Sequence, residues 1–205
     1  MNRLDTARRH SLFLARQLDN GKLKPEIFLP MLDKVLTESD FQAFADWGKI
    51  RAEENEEELA RQLRQLRRYV VSQIIVRDIN RISDLNEVTR TITLFADFAV
   101  NTALDFAYAY YRDMYGTPIG RYTKSPQHLS VVAMGKAGGY ELNVSSDIDL
   151  IFVYPESGDT DGKVLKSSNN LGEEWTFDYR KDHTVVTDAL GRTEVYGFDE
   201  NWELR

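Results

Sequence analysis

"VVAMGKAGGYELNVSSDIDLIFVY", Val131 to Tyr154, sets Asp147 and Asp149 one residue apart at the head of an apolar run, just after a glycine-rich turn. Residues two apart in a strand leave the same face, so this spacing aims both carboxylates at one side. Ile148, Leu150, Ile151 and Val153 are then expected to pack inward or along neighbouring strands. Like charges so close repel, and a hard divalent cation, Mg²⁺ or Mn²⁺, relieves them when one or two carboxylates and substrate phosphates share it. Gly135, Gly138 and Gly139 let the backbone approach a phosphate, Lys136 offers a point charge, and Ser145 and Ser146 offer hydroxyl or N–H donors. An Asp-x-Asp also caps sheets in ordinary loops, and a "GKAGG" turn alone is weak evidence. Their combination in the order strand, glycine turn, Ser-Ser-Asp-x-Asp, strand is more specific.

Upstream of this stretch the grammar is helical. Between Gly21 and Gly116 the only glycine is Gly48, and no proline falls between Pro30 and Pro118. Leu59, Leu63, Leu66, Val70 and Ile74 recur at three- and four-residue steps, as one face of a helix must. A second stripe runs from Leu85 through Val88, Ile92, Phe95, Phe98 or Ala99, Ala103 and Phe106 to Tyr110. Ser83 and Asp84 open it, with Glu87 placed for a capping box, and Gly116 ends it after about eight turns. Shorter helical patterns lie near residues 4 to 18, 26 to 36 and 39 to 52, predicting an N-terminal bundle. "TPIGRYTKSPQ" then reads as a loop, and "LSVVAM" and "IDLIFVYP" as adjacent buried strands. After Gly162, alternation in "EWTFDY", "HTVVTD" and "TEVYGFD", broken by turn residues, predicts a small antiparallel β-structure in which Trp175 and Trp202 fill the core.

The fold class expected is therefore α+β: a helical region over 1–117, a strand-bearing region over 118–162 and a β-rich tail over 163–205. The 205 residues are 42% hydrophobic, enough for a core, and carry a net charge of −7, which argues against nonspecific nucleic-acid or anionic-membrane binding. The absence of cysteine and of a long apolar segment suits a cytoplasmic protein. The arginines of the first long helix (Arg61, Arg64, Arg67, Arg68, Arg77) follow acidic residues from Glu53 to Glu58 and read as a solvated or interdomain face. His10, His128 and His183 lack metal spacing. Tyr108, Tyr110, Tyr111 and Tyr115 read as helix packing against the sheet.

The order of elements around the two aspartates resembles the metal site of nucleotidyltransferases of the DNA polymerase β superfamily. More closely, "MGKAGGYELNVSSDIDLIFVYPESGDTDG" resembles the first nucleotidyltransferase domain of bacterial glutamine synthetase adenylyltransferases, and "LARQLRQLRRYVVSQIIVRDI" and "YYRDMYGTPIG" are similar to helices of that family. The resemblance spans about residues 1–162. It implies an adenylyl-removing domain in which inorganic phosphate attacks AMP-tyrosine on glutamine synthetase to release ADP under control of the signalling protein PII. AMP transfer from ATP would use the same metal chemistry. Asp147 and Asp149 match the metal-binding aspartates, and Gly138, Gly139, Ser145 and Ser146 would shape the phosphate cradle, with Gly135 and Lys136 completing the expected nucleotide-binding set.

Family members carry a further strand, "RVDMRLRP", whose aspartate completes a metal-binding triad, and these 205 residues contain no such segment. From about residue 164, "TDALGRT" followed by "Y-x-FDEN" resembles one unit of RHS or YD repeats. The expectation is a truncated adenylyl-removing domain, joined to a repeat fragment and catalytically impaired unless Asp159, Asp161 or Asp178 substitutes. Two alternatives are a noncatalytic fragment binding PII or glutamine synthetase, and a remnant of an RHS-repeat protein.

Overall fold

The computed structural model describes residues 2–48, 56–162, 166–168, 173–179 and 183–197. Trp202, residues 53–55 of the acidic run and residues 49–52 of the fourth expected helix lie outside them. Two compact units emerge, Met1–Phe106 with Val131–Val153, and Ala107–Ser130 with Tyr154–Arg205.

The first unit is built on helices α1 (Arg3–His10), α2 (Leu12–Asp19), α3 (Pro25–Met31), α4 (Glu38–Gly48), α5 (Glu56–Ile79) and the greater part of α6 (Leu85–Tyr115). The first expected helix is split at Ser11, whose hydroxyl oxygen accepts from the N–H of Leu14 (3.2 Å) and starts α2 afresh. The stripe on α5 holds: Leu59, Leu66, Val70 and Ile74 are buried and Leu63 packs against the same core. Phe28, Phe41 and Tyr69 fill its centre. The Tyr69 hydroxyl accepts from the Lys24 N–H at 2.9 Å, so a large ring is buried without orphaning its polar end. On α6, Ile92, Phe95 and Phe98 are buried, whereas Leu85 and Tyr110 at its two ends are exposed.

Asp84 caps α6, its carboxylate accepting from the Glu87 N–H at 2.8 Å. The expected capping box is only half made, because the Glu87 side chain turns to Arg77 instead. Arg77 donates to Glu87 through Nε (2.5 Å) and Nη2 (3.0 Å), and through Nη1 to the carbonyl of Leu32 (3.0 Å). Arg77 is buried, which removes it from the solvated arginine face. It closes the end of α3 together with Gln73, whose amide donates to the carbonyls of Met31 and Lys34 at 3.2 and 2.8 Å.

The same unit carries strand β2 (Ser130–Ala133, its first residue belonging to the second unit), the one-turn helix α7 (Gly135–Gly138) and β3 (Leu150–Val153). β2 and β3 pair as expected. They are not buried: Val132, Ile151, Phe152 and Val153 are 45, 48, 60 and 44% exposed. The reason is that an apolar strand needs a layer on each face to be covered. Among the described residues this two-stranded sheet has α6 on one side only, against Val131, Ala133 and Leu150.

In the second unit, β1 (Pro118–Gly120) pairs antiparallel with β4 (Gly158–Thr160), so part of the expected loop is a strand. Glycine permits it. A Cβ on Gly158 would sit 2.0 Å from the Ile119 carbonyl oxygen. Glu156 locks the adjoining turn by accepting from the N–H groups of Tyr122 (2.8 Å) and Thr123 (3.1 Å) and from the Thr123 hydroxyl. The Thr123 hydroxyl first, then the Tyr122 amide, hold its carboxyl below the usual glutamate range. The tyrosines at the end of α6 stack on one another, Tyr111 on Tyr115 with centroids 6.0 Å apart, and Tyr110 and Tyr111 stay half exposed, rather than packing flat against a sheet. The tail forms the antiparallel meander β5 (Lys166–Ser168), β6 (Glu174–Tyr179), β7 (His183–Thr187) and β8 (Thr193–Gly197). The architecture is α+β, as expected. No helix among the described residues is long and apolar enough to cross a membrane.

Candidate functional site

The glycine turn and the aspartates arrive at the same end of one small sheet. β2 ends at Ala133, and the N–H of the next residue, Met134, donates to the carbonyl of Asp149 at 2.9 Å. The chain then winds through α7. Gly135 takes φ +55°, and Gly138 lies so close to β2 that a Cβ would stand 2.6 Å from the carbonyl oxygen of Ala133. The turn is thus a single helical coil pressed onto the strand end, and Gly138 is the position where bare backbone is required. Gly139 has ordinary space, its nearest prospective contact being 3.6 Å away.

Two buried apolar residues, Ala137 and Leu142, anchor this coil to the helical core. Between Leu142 and the aspartates the chain makes a polar turn. The Asn143 side-chain oxygen accepts from the Ser145 N–H (3.0 Å) and hydroxyl (2.9 Å), and the Ser146 hydroxyl accepts from the Asn143 N–H (3.2 Å). Arg67 of α5 donates to the carbonyl of Val144 at 3.1 Å, pinning the turn to the helix. That arginine is a fastener for the site loop. Both serine hydroxyls are engaged inside the turn.

Asp147 and Asp149 stand in the segment immediately before β3, and both are exposed. Ile148 between them lines a cavity against α6. The strand itself begins one residue later than the pair, at Leu150, so Asp147 and Asp149 lie in extended chain leading into β3 rather than within it. Among the described residues neither carboxylate has an ion-pair or hydrogen-bond partner. Two exposed acids one residue apart are a donor set that a hard divalent cation accepts when phosphate oxygens and water complete its shell. Lys136, on α7, is exposed.

No group of three or more His, Asp or Glu residues suited to a metal ion occurs among the described residues. Asp159, Asp161 and Asp178 belong to the second unit. Asp161 is used elsewhere, its carboxylate accepting from the Thr117 N–H at 2.6 Å. Sequence reasoning missed the roles of Arg67 and Leu142. The buried leucine sits between a glycine coil and a polar turn, with no periodic signal around it.

A glycine coil and an Asp-x-Asp held at one end of paired strands is the layout of a nucleotidyltransferase. The model of the glutamate-ammonia ligase adenylyltransferase family matches residues 2–173, and the chain belongs to that family. It is 98% identical over 162 residues to the bifunctional glutamine synthetase adenylyltransferase/adenylyl-removing enzyme of Neisseria meningitidis serogroup B, a match covering 79% of this chain and 18% of that protein. The enzyme of the same description from Chromobacterium violaceum is 43% identical over 190 residues, 93% of this chain and 20% of the relative. That from Nitrosomonas europaea is 49% identical over 112 residues, 54% of this chain and 12% of the relative. The chain thus spans about a fifth of the length of these relatives. The family match runs past residue 162, into the segment read as a repeat unit, and these matches lend the repeat reading no support.

Proposed function

We propose that this chain contributes the phosphate-facing coil and two metal-holding carboxylates of an adenylyl-removing site. The substrate would be adenylylated glutamine synthetase, with inorganic phosphate displacing the tyrosine oxygen from AMP to give ADP, and PII as the regulatory partner. The observation that carries this reading is the bond from Met134 N–H to the Asp149 carbonyl, which seats the bare Gly138 coil beside two exposed, unpaired acids. Asp147 and Asp149 would hold Mg²⁺ or Mn²⁺, which when bound neutralises phosphate charge and stabilises the leaving oxygen. Gly135, Gly138 and Gly139 let the nucleotide's phosphates approach the backbone, and Lys136 adds a compact positive charge there. Ser145 and Ser146 would serve indirectly, by shaping through Asn143 the turn that leads to the acids.

With two carboxylates and no third among the described residues, turnover by these 205 residues alone is expected to be poor. The same observation favours a second reading, in which the chain binds glutamine synthetase or PII without catalysis. Titration with Mn²⁺, followed by paramagnetic broadening of backbone amides, tests the metal site. Broadening centred on residues 134–149 that disappears in Asp147→Asn and Asp149→Asn supports it, and uniform or absent broadening removes it. Phosphate-dependent ADP release from adenylylated glutamine synthetase separates the two readings, since rapid release by the chain alone would overturn the expectation of impaired turnover.

A further inference from the structure

Beneath the aspartate-bearing segment lies a cavity of about 110 Å³, walled on one side by α6 and on the other by Val131, Ala133, Ile148 and Leu150. Of the residues lining it, Asp97 alone has an ionisable side chain; the lining residues of β2, α7 and β3, and Ile148, have apolar side chains, and Asn101 of α6 is neutral. Asp97 is half-buried and, among the described residues, its carboxylate has no hydrogen-bond or ion-pair partner. An acid facing an apolar wall with no donor to satisfy it loses hydration when it ionises, and a cavity of this size with a polar edge has room for water.

We propose that Asp97 makes this seam a pH-sensitive support for the Asp147–Asp149 segment: protonated, it lets α6 close under Ile148, and ionised, it draws water into the cavity and loosens the segment. Burial first, and then the charge of Glu38 on α4, raise its pKa above the ordinary aspartate value. For an acid this sets the sign. The penalty is absent below the unfolded-state pKa, grows as pH rises toward the raised folded-state pKa, and is complete above it. The segment above the seam is thus held more firmly at mildly acidic than at neutral pH. The seam titrates whether or not Asp147 and Asp149 hold a cation, so its failure and the failure of the metal reading are distinguishable.

Thermal unfolding of the whole chain between pH 3.5 and 7.5, for the native protein and Asp97→Asn, tests this, together with the Val131 methyl resonances. Asn is isosteric and uncharged, so the variant should melt on the order of 2–4 °C higher at neutral pH, with the gain vanishing as pH approaches 3.5. The Val131 methyls, on the same cavity wall but apart from Asp147 and Asp149 in the chain, should shift across the same range in the native protein and stay fixed in the variant. A gain that is independent of pH, no gain, a loss at neutral pH, or a Val131 signal that titrates equally in both proteins would overturn it.

Discussion

Helix α5 and strand β3 are both rich in apolar side chains, and they meet opposite fates. Tyr69, Val70, Val71, Ile74 and Val76 on α5 are between 0 and 5% exposed, while Ile151, Phe152 and Val153 on β3 are 44 to 60% exposed. The difference lies in how many layers reach each element. α5 contacts α1, α2 and α3, whereas β3 has one neighbouring strand and the flank of α6. Burial converts apolar surface into stability only where a second layer closes over it. The helices therefore hold the first unit together, and the thin sheet stays open on its uncovered side.

The largest test of this contrast sets two phenylalanines against each other. Phe41 is fully buried and packs on Phe95 and Phe98 with centroids 6.1 and 5.9 Å away. Phe41→Ala should cost about 3–5 kcal/mol in denaturant unfolding, the range for deleting a core aromatic. Phe152→Ala should stay within about 0.5 kcal/mol, as surface substitutions do. Equal costs would mean that a second layer covers β3 in solution.

Within the site, two neighbouring glycines give a narrower contrast. Gly138→Ala pushes a methyl group against the Ala133 carbonyl oxygen, a backbone atom that moves only if β2 moves. An overpacking cost of about 1–3 kcal/mol is expected, with the Asp149 carbonyl losing its bond from Met134 as the strand end shifts. Gly139→Ala meets only ordinary contacts, and its cost should fall within about 0.5 kcal/mol. Amide exchange at Met134 should quicken in the first variant and not in the second.

How much of this was legible in the sequence follows the same division. The stripe on α5 is visible because burial repeats every three to four residues, and the pairing of β2 with β3 is visible because both runs are short and β-branched. Exposure of β3 is not, since an apolar run looks identical whether or not a layer covers it. Arg77 defeats the reading for a related reason. An arginine on a helix carries no mark of burial, and its partners, Glu87 and the Leu32 carbonyl, lie 10 and 45 residues away. Asp147 and Asp149 stand out in the sequence because their spacing has geometric meaning. Asp97 does not, because its surroundings come from strands far along the chain.

The smallest expected effect contrasts two acids whose pH dependences have opposite signs. Asp40 forms a capping arrangement at the start of α4, accepting from the Thr37 N–H and hydroxyl, each at 2.9 Å, and pairing with Lys34. Burial works to raise its pKa, but the bonds from Lys34 and Thr37 outweigh it and hold the carboxyl below the ordinary aspartate range. A depressed folded-state pKa contributes stability that is complete above the unfolded-state value and is lost as pH falls through the folded one. Asp40→Asn keeps the shape and removes the charge, so it should destabilise at neutral pH by on the order of 1 kcal/mol, the scale of a helix cap, with the deficit closing in strong acid. Asp97→Asn should stabilise over the range where Asp40→Asn destabilises, and both differences should shrink toward low pH. The sign of an acid's contribution thus depends on whether donors face it, as at Asp40, or apolar walls, as at Asp97; if both variants moved stability in the same direction at neutral pH, that rule would fail for this molecule.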